Sequence, residues 1–118
     1  MSQTMLPHDH GQLLPFDLSH MPRAEQFGTV AEVFKLLGDS SRLRIFWVLC
    51  HSEACVINLS AMVDMSSPAV SHHLKQLKAA ELIVSRRDGK EVYYKAADTA
   101  AVRFLHRAIE DVAKITCP

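Results

Sequence analysis

The residues best suited to chemistry lie close together between Ser67 and Lys90. Ser67, Ser71, His72, Lys75 and Gln76 carry hydroxyl, imidazole, ammonium and amide groups, and Arg86, Arg87 and Lys90 follow as a cationic cluster. Nothing in the sequence arranges them for catalysis. There is no glycine-rich phosphate loop, no His-Glu-x-x-His pair and no nucleophile elbow. His72 and His73, adjacent on a helix, would diverge by about 100°. What the set can do is hydrogen-bond. Short polar side chains near a helix N-terminus reach base edges in a DNA major groove, and Arg or Lys on a neighbouring turn holds phosphates and fixes register.

Such residues need a helix, a supporting helix and a hairpin to position them. Ser67 can cap the reader helix, with Pro68 at the first helical position, where its missing donor costs nothing. Val70, Leu74 and Leu77 recur at helical spacing and mark a buried face, from which Ser71, His72, Lys75 and Gln76 fall away. Val70, short and near the N-terminus, also counts with Ser67, Ser71 and His72 as a groove residue. Residues 58–63 predict a preceding short helix with Leu59, Met62 and Val63 inward, and Asp64-Met65-Ser66 supplies the turn. Strand-like runs at 83–87 and 90–94 flank Asp88-Gly89, a strong hairpin signal that puts Arg86, Arg87 and Lys90 at its tip.

The remaining chain reads as support. A first helix over 29–37 carries the stripe Val30, Val33, Phe34, Leu37, and Gly38 ends it. Asp39 or Ser40 caps a second helix over about 41–50 that is apolar on nearly all sides, hence central and buried, with Arg42 and Arg44 near solvent. A last helix runs from Asp98-Thr99 to about 116. Val102, Leu105, Ile109 and Val112 share one face, widened by Phe104, Ala108 and Ile115, which no later element can cover; this predicts a subunit interface. Residues 1–22, broken by prolines and carrying His8, Asp9 and His10, are expected to be a flexible arm, and residues 23–118 the domain.

Composition narrows the class. With 118 residues and 48% hydrophobic side chains, the chain is one domain with a modest core. Its 13 basic and 13 acidic residues balance, which argues against a non-specific nucleic-acid coat. Between Pro68 and Lys95, however, six bases face three acids, a local basic excess that suits sequence-selective binding. Three cysteines, an odd number without an export signal, imply the reducing cytoplasm, and no apolar run approaches a membrane span.

The order of these elements, together with Ser71-His72-His73-Leu74, Arg86-Arg87-Asp88-Gly89-Lys90-Glu91-Val92-Tyr93-Tyr94 and Leu36-Leu37-Gly38-Asp39-Ser40-Ser41-Arg42-Leu43-Arg44-Ile45, resembles the ArsR/SmtB family of bacterial winged-helix repressors. The resemblance runs from about residue 30 to about 114. It implies a mostly α fold with a small β-hairpin wing (α+β), a winged helix-turn-helix, and a homodimer formed through the first and last helices. It also implies double-stranded DNA with an inverted-repeat operator as partner.

Family members often bind metal where the N-terminal arm meets the start of the third helix across the dimer. Cys55 matches the ligand cysteine there, while Ile57 and Asn58 stand in place of a second cysteine and an aspartate. With His8, His10 and His51 as further donors, this set would suit Zn(II) or another divalent transition metal better than arsenite. At the family's second site, on the last helix, Asp98 matches, but Ala100, Asp111 and Lys114 replace imidazoles, so no site is expected. His106 and Glu110, four apart on one helical face, could form a different site, but such a pair is more often a surface hydrogen bond or ion pair, the reading favoured here. Some relatives sense oxidants or persulfides with paired cysteines, for which Cys50 and Cys117 are the candidates here. A winged helix used only to bind another protein is the remaining alternative.

Overall fold

The computed structural model describes Pro7, His8 and residues 17–115. The chain divides into two compact units, one ending at Glu32 and the other beginning at Val33. In the first, Asp17 caps a 3₁₀ turn, Leu18–His20, by accepting from the Ser19 N–H at 2.9 Å. Helix α1 (Ala24–Leu36) begins in this unit and ends in the second. It starts at Ala24 rather than Thr29. The Arg23 N–H donates to Gln26 Oε1 at 2.8 Å, the return half of a capping box, and Glu25 sits in the first turn. An apolar stripe does not report a polar first turn held by its own caps.

The second unit contains α2 (Ser40–His51), α3 (Val56–Val63), α4 (Ser67–Ala79), the strands β1 (Ile83–Asp88) and β2 (Glu91–Ala96), and α5 (Ala100–Ala113). Helix α2 is central and packs on α3, α4, β2 and α5. Its Ile45, Phe46 and Leu49 are buried, whereas Trp47 and Val48 are only half-buried, so its enclosure is less complete than its composition predicts. Asp39 is its cap, accepting from the Arg42 N–H at 3.0 Å, and this bond lowers the carboxyl pKa. The two arginines tie helix ends together: Arg42 Nη1 donates to the Leu36 carbonyl at 2.9 Å and Arg44 Nη1 to that of Val63 at 3.3 Å. Cations at helix C-termini satisfy orphan carbonyls and oppose the helix dipole.

On α3, Leu59 and Val63 are buried but Met62 is 55% exposed, so the expected inward Met62 is corrected. A helix this short has room for only a narrow buried stripe. Asp64, in the left-handed region, turns the chain, and the Ser60 hydroxyl donates to the Met65 carbonyl. The cap of α4 is Ser66, not Ser67: Ser66 Oγ accepts from the Ala69 N–H at 3.3 Å while Ser67 is already helical. Ser66→Ala is therefore expected to lower stability by about 0.5–2 kcal/mol in chemical denaturation. Ser67→Ala should fall within about 0.5 kcal/mol of the parent.

Helix α4 ends in a Schellman motif, with Leu82 N–H bonded to Leu77 O and Glu81 N–H to Lys78 O, both at 3.0 Å. Glu81 occupies the left-handed position at φ 62°, where glycine is usual, so no breaker in the sequence announces the ending. Strands β1 and β2 pair antiparallel from Ile83↔Ala96 to Asp88↔Glu91. The connection is Gly89-Lys90, one residue later than expected, and Gly89 supplies the positive φ of 64°. An isolated bridge between Ala54 and Tyr94, bonded in both directions at 3.0 and 2.9 Å, fastens the wing to the loop before α3.

Thr99 caps α5 by accepting from the Val102 N–H at 3.1 Å. Val102 and Leu105 are buried and Ile109 half-buried, while Phe104 and Val112 are 69% and 84% exposed. On α1, Phe27, Val30 and Phe34 are likewise exposed. Among the described residues, no helix is long and apolar enough to cross a membrane.

Candidate functional site

The reading face of α4 is set by its buried face. Val70, Leu74 and Leu77 are all within 1% of full burial and pack where α4 meets α2 and α3. Val70 therefore leaves the set of groove residues, because its side chain is wholly inside the core. Ser67, Ser71, His72 and Lys75 are exposed, as helical spacing requires of residues off that stripe. Gln76 is half-buried, and its Oε1 has no hydrogen-bond partner among the described residues. His73 is half-buried, and burial and then the Arg42 charge push its pKa below the ordinary histidine value.

The wing presents its cations unequally. Arg86 grips Glu53 through two bonds, Nε to Oε2 at 2.9 Å and Nη2 to Oε1 at 2.6 Å. It also lies over the Tyr93 ring at 4.8 Å and 3.8 Å from Asp88. The hydrogen bond holds the Glu53 carboxyl below the usual carboxylate range and raises the Arg86 pKa. Arg86, expected as a phosphate contact, already has its charge matched and its fork occupied, so in this arrangement it braces the wing. Glu53 is 33 residues away in sequence, and no local pattern links the two. Arg87 and Lys90 are exposed and make no ion pair among the described residues, while Lys78 donates to Ser85 Oγ at 2.6 Å and joins α4 to β1.

The residues expected as metal ligands fall in both units and partly outside the described residues. His10 and Cys117 lie outside the described residues, and His8 is exposed in the first unit. Cys55 is 8% exposed at the start of α3. His51, at the end of α2, meets α5: its Nε2 is 3.0 Å from His106 Nε2 and 4.0 Å from Glu110 Oε2, and His106 Nε2 is 3.4 Å from the same oxygen. Glu110 is buried, 9% exposed, so the pair read as a surface contact is an interior one. The backbone of His51 is open to solvent, but its side chain keeps only 21% exposure. Asp98 and Asp111, from the family's second site, pair with Arg103 at 2.6 Å and Arg107 at 3.3 Å. Burial, and then the Glu110 charge, push the Cys50 thiol up to about 11, which leaves little thiolate at neutral pH.

Two helices joined by a tight turn, the second with an exposed polar face, followed by a paired two-stranded wing, define a winged helix-turn-helix. Solved structures agree. NolR from Sinorhizobium fredii superposes with a TM-score of 0.73 at 25% identity, over 88% of this chain and 100% of that one. The homodimeric winged helix-turn-helix DNA-binding domain of a possible ArsR-family transcriptional regulator from Mycobacterium bovis gives 0.70 at 30% identity, over 80% and 86%.

A sequence model described as "Bacterial regulatory protein, arsR family" matches residues 39–85. The chain belongs to the ArsR family, whose members are regulatory proteins rather than enzymes. Among curated relatives, the "Transcriptional repressor SmtB homolog" of Synechocystis sp. is 40% identical over 87 residues, 74% of this chain and 65% of that protein. The "Cadmium resistance transcriptional regulatory protein CadC" of Listeria innocua is 42% identical over 67 residues, 56% of each. The chain thus spans between about half and two thirds of the length of these relatives.

Proposed function

We propose that the protein is a transcriptional repressor of ArsR/SmtB type that binds an inverted-repeat DNA operator as a homodimer and is released by an inducer. The carrying observation is the coexistence, on one rigid core, of the exposed Ser67, Ser71, His72 and Lys75 of α4 with the exposed Arg87 and Lys90 of the wing. The first group suits base edges and the second suits phosphates. The exposed apolar residues of α1 and α5 support a dimer through those helices, and the M. bovis neighbour is described as homodimeric. A twofold pair would set two reader helices about 34–36 Å apart, one turn of duplex, which calls for a palindromic site.

The inducer in this reading is a divalent transition metal ion such as Zn(II). Relatives are named for cadmium and arsenical resistance, which supports a metal or metalloid. The raised Cys50 pKa weighs against the thiol-oxidation alternative. A coupling free energy of about 1–3 kcal/mol between ion and DNA is enough for a switch.

The test is a salt series of gel shifts with a selected palindrome and a scrambled duplex. Arg87→Ala and Lys90→Ala should each reduce the slope of log affinity against log salt by about 0.9, one phosphate contact apiece. Arg86→Ala should change the slope less, since Glu53 already neutralises that charge. A chain that ignores both duplexes at every salt concentration would instead be a protein-interaction module.

A further inference from the structure

The end of α2 and the middle of α5 bring together three donors that are scattered in sequence. We propose that His51, His106 and Glu110 form a binding site within one subunit for a divalent transition ion of borderline softness: Zn(II), Co(II) or Ni(II). Their ligand atoms all lie within 4.8 Å of one another. Bonds of 2.0–2.1 Å to a tetrahedral centre would set ligand atoms roughly 3.3–3.4 Å apart. The three separations here, 3.0, 3.4 and 4.0 Å, bracket that edge. The trio makes one face of a tetrahedron and leaves a fourth position for water or another donor.

Two further observations point to a cation. Glu110 is buried, its side chain 12% exposed, and its fully buried Oε2, 3.4 Å from His106 Nε2, makes no hydrogen bond among the described residues. A carboxylate held that way is costly unless a positive charge compensates it. The imidazoles, moreover, meet Nε2 to Nε2 with rings at 85°, and these same nitrogens lie 3.4 and 4.0 Å from that carboxylate oxygen, so three ligand atoms face one small space. A cleft of about 360 Å³, bordered by Cys50, His51, Ser52, Arg103 and His106, gives an ion a route to the pair. Two imidazoles and a carboxylate, with no thiolate, favour zinc-like ions over arsenite.

The site ties α5 to α2, and α2 is also the helix on which α4 packs. Filling it would therefore stiffen the joint between the helix carrying the exposed apolar face and the helix supporting the reader. That regulatory consequence rests on the repressor reading; the binding of the ion does not.

The experiment uses the full, tag-free chain stripped with chelator. Co(II) titration should give the intense d–d absorption of a tetrahedral centre, saturating at one ion per chain, and Zn(II) should displace it. His51→Ala, His106→Ala and Glu110→Gln should each cost more than the roughly 10–100-fold lost when outer-shell partners of a metal site are removed. Cys55→Ser should keep the affinity. Zn(II) should raise the melting temperature of the parent and not of His106→Ala, a readout that also confirms the variant is folded. The proposal is overturned if no ion binds stoichiometrically, if a protonated His51–His106 pair on Glu110 accounts for the parent's titration by NMR with no ion taken up, or if binding survives all three variants and disappears in Cys55→Ser. Gel shifts with and without Zn(II) separate the readings. Binding of the ion without any effect on DNA affinity sinks the switch and keeps the site, and stripped protein that ignores DNA sinks the repressor while leaving the site intact.

Discussion

Ser71→Ala/His72→Ala is expected to erase the preference for operator over scrambled DNA while leaving most of the total affinity in place. Both side chains are exposed on α4, on the side away from Val70, Leu74 and Leu77, so the double variant should fold with stability within about 0.5 kcal/mol per site of the parent. A good side-chain contact to a base edge discriminates by about 1–3 kcal/mol, so losing two should reduce selectivity by roughly 2–6 kcal/mol. The phosphate contacts of Arg87 and Lys90 are untouched and carry the sequence-independent affinity. Fluorescence anisotropy at fixed salt with both duplexes reads the two quantities separately. Equal losses on both duplexes would mean that α4 is not the reader.

Phe46→Ala should be the most destabilising single change, and its contrast with Phe104→Ala tests the dimer. Phe46 is the largest fully buried side chain of the core, at 0% exposure in α2. Truncating such a ring costs about 3–5 kcal/mol through lost transfer energy and the cavity left behind. A domain of this size has only about 5–15 kcal/mol in total, so the denaturation midpoint should fall at every protein concentration. Phe104, 69% exposed on the lone chain, should behave differently. Its removal should leave the stability of the single chain nearly unchanged and weaken self-association, so that the midpoint falls toward that of the lone chain and depends less on protein concentration. Sedimentation of both variants across a dilution series gives the answer; a Phe104→Ala protein that associates as tightly as the parent would exclude α5 from the interface.

The reader unit was legible because its signals are local. Val70, Leu74 and Leu77 repeat at the period of a helix, and a single amphipathic helix has to bury that stripe, so the exposure of Ser71, His72 and Lys75 follows from spacing alone. The same logic misled at its edges. Val70 cannot be both in the stripe and in the groove, and the period places it in the stripe. Met62 and the start of α1 escape this logic because an apolar pattern says neither how wide a short helix's contact is nor where polar caps extend it. Glu81 and Lys114 take left-handed turns where glycine would have marked the ends of α4 and α5.

By itself, then, the amino-acid order determined the kinds of elements, their succession and the face each buries, since these depend on neighbours three or four residues apart. Tertiary structure alone decided which charges are spoken for and which donors converge. Arg86 meets Glu53 across 33 residues, and His51 meets His106 across 55. The physical reason is that a hydrogen bond or a ligand set is specified to within tenths of an ångström by the packing of separate helices, and no periodicity along one chain carries that distance.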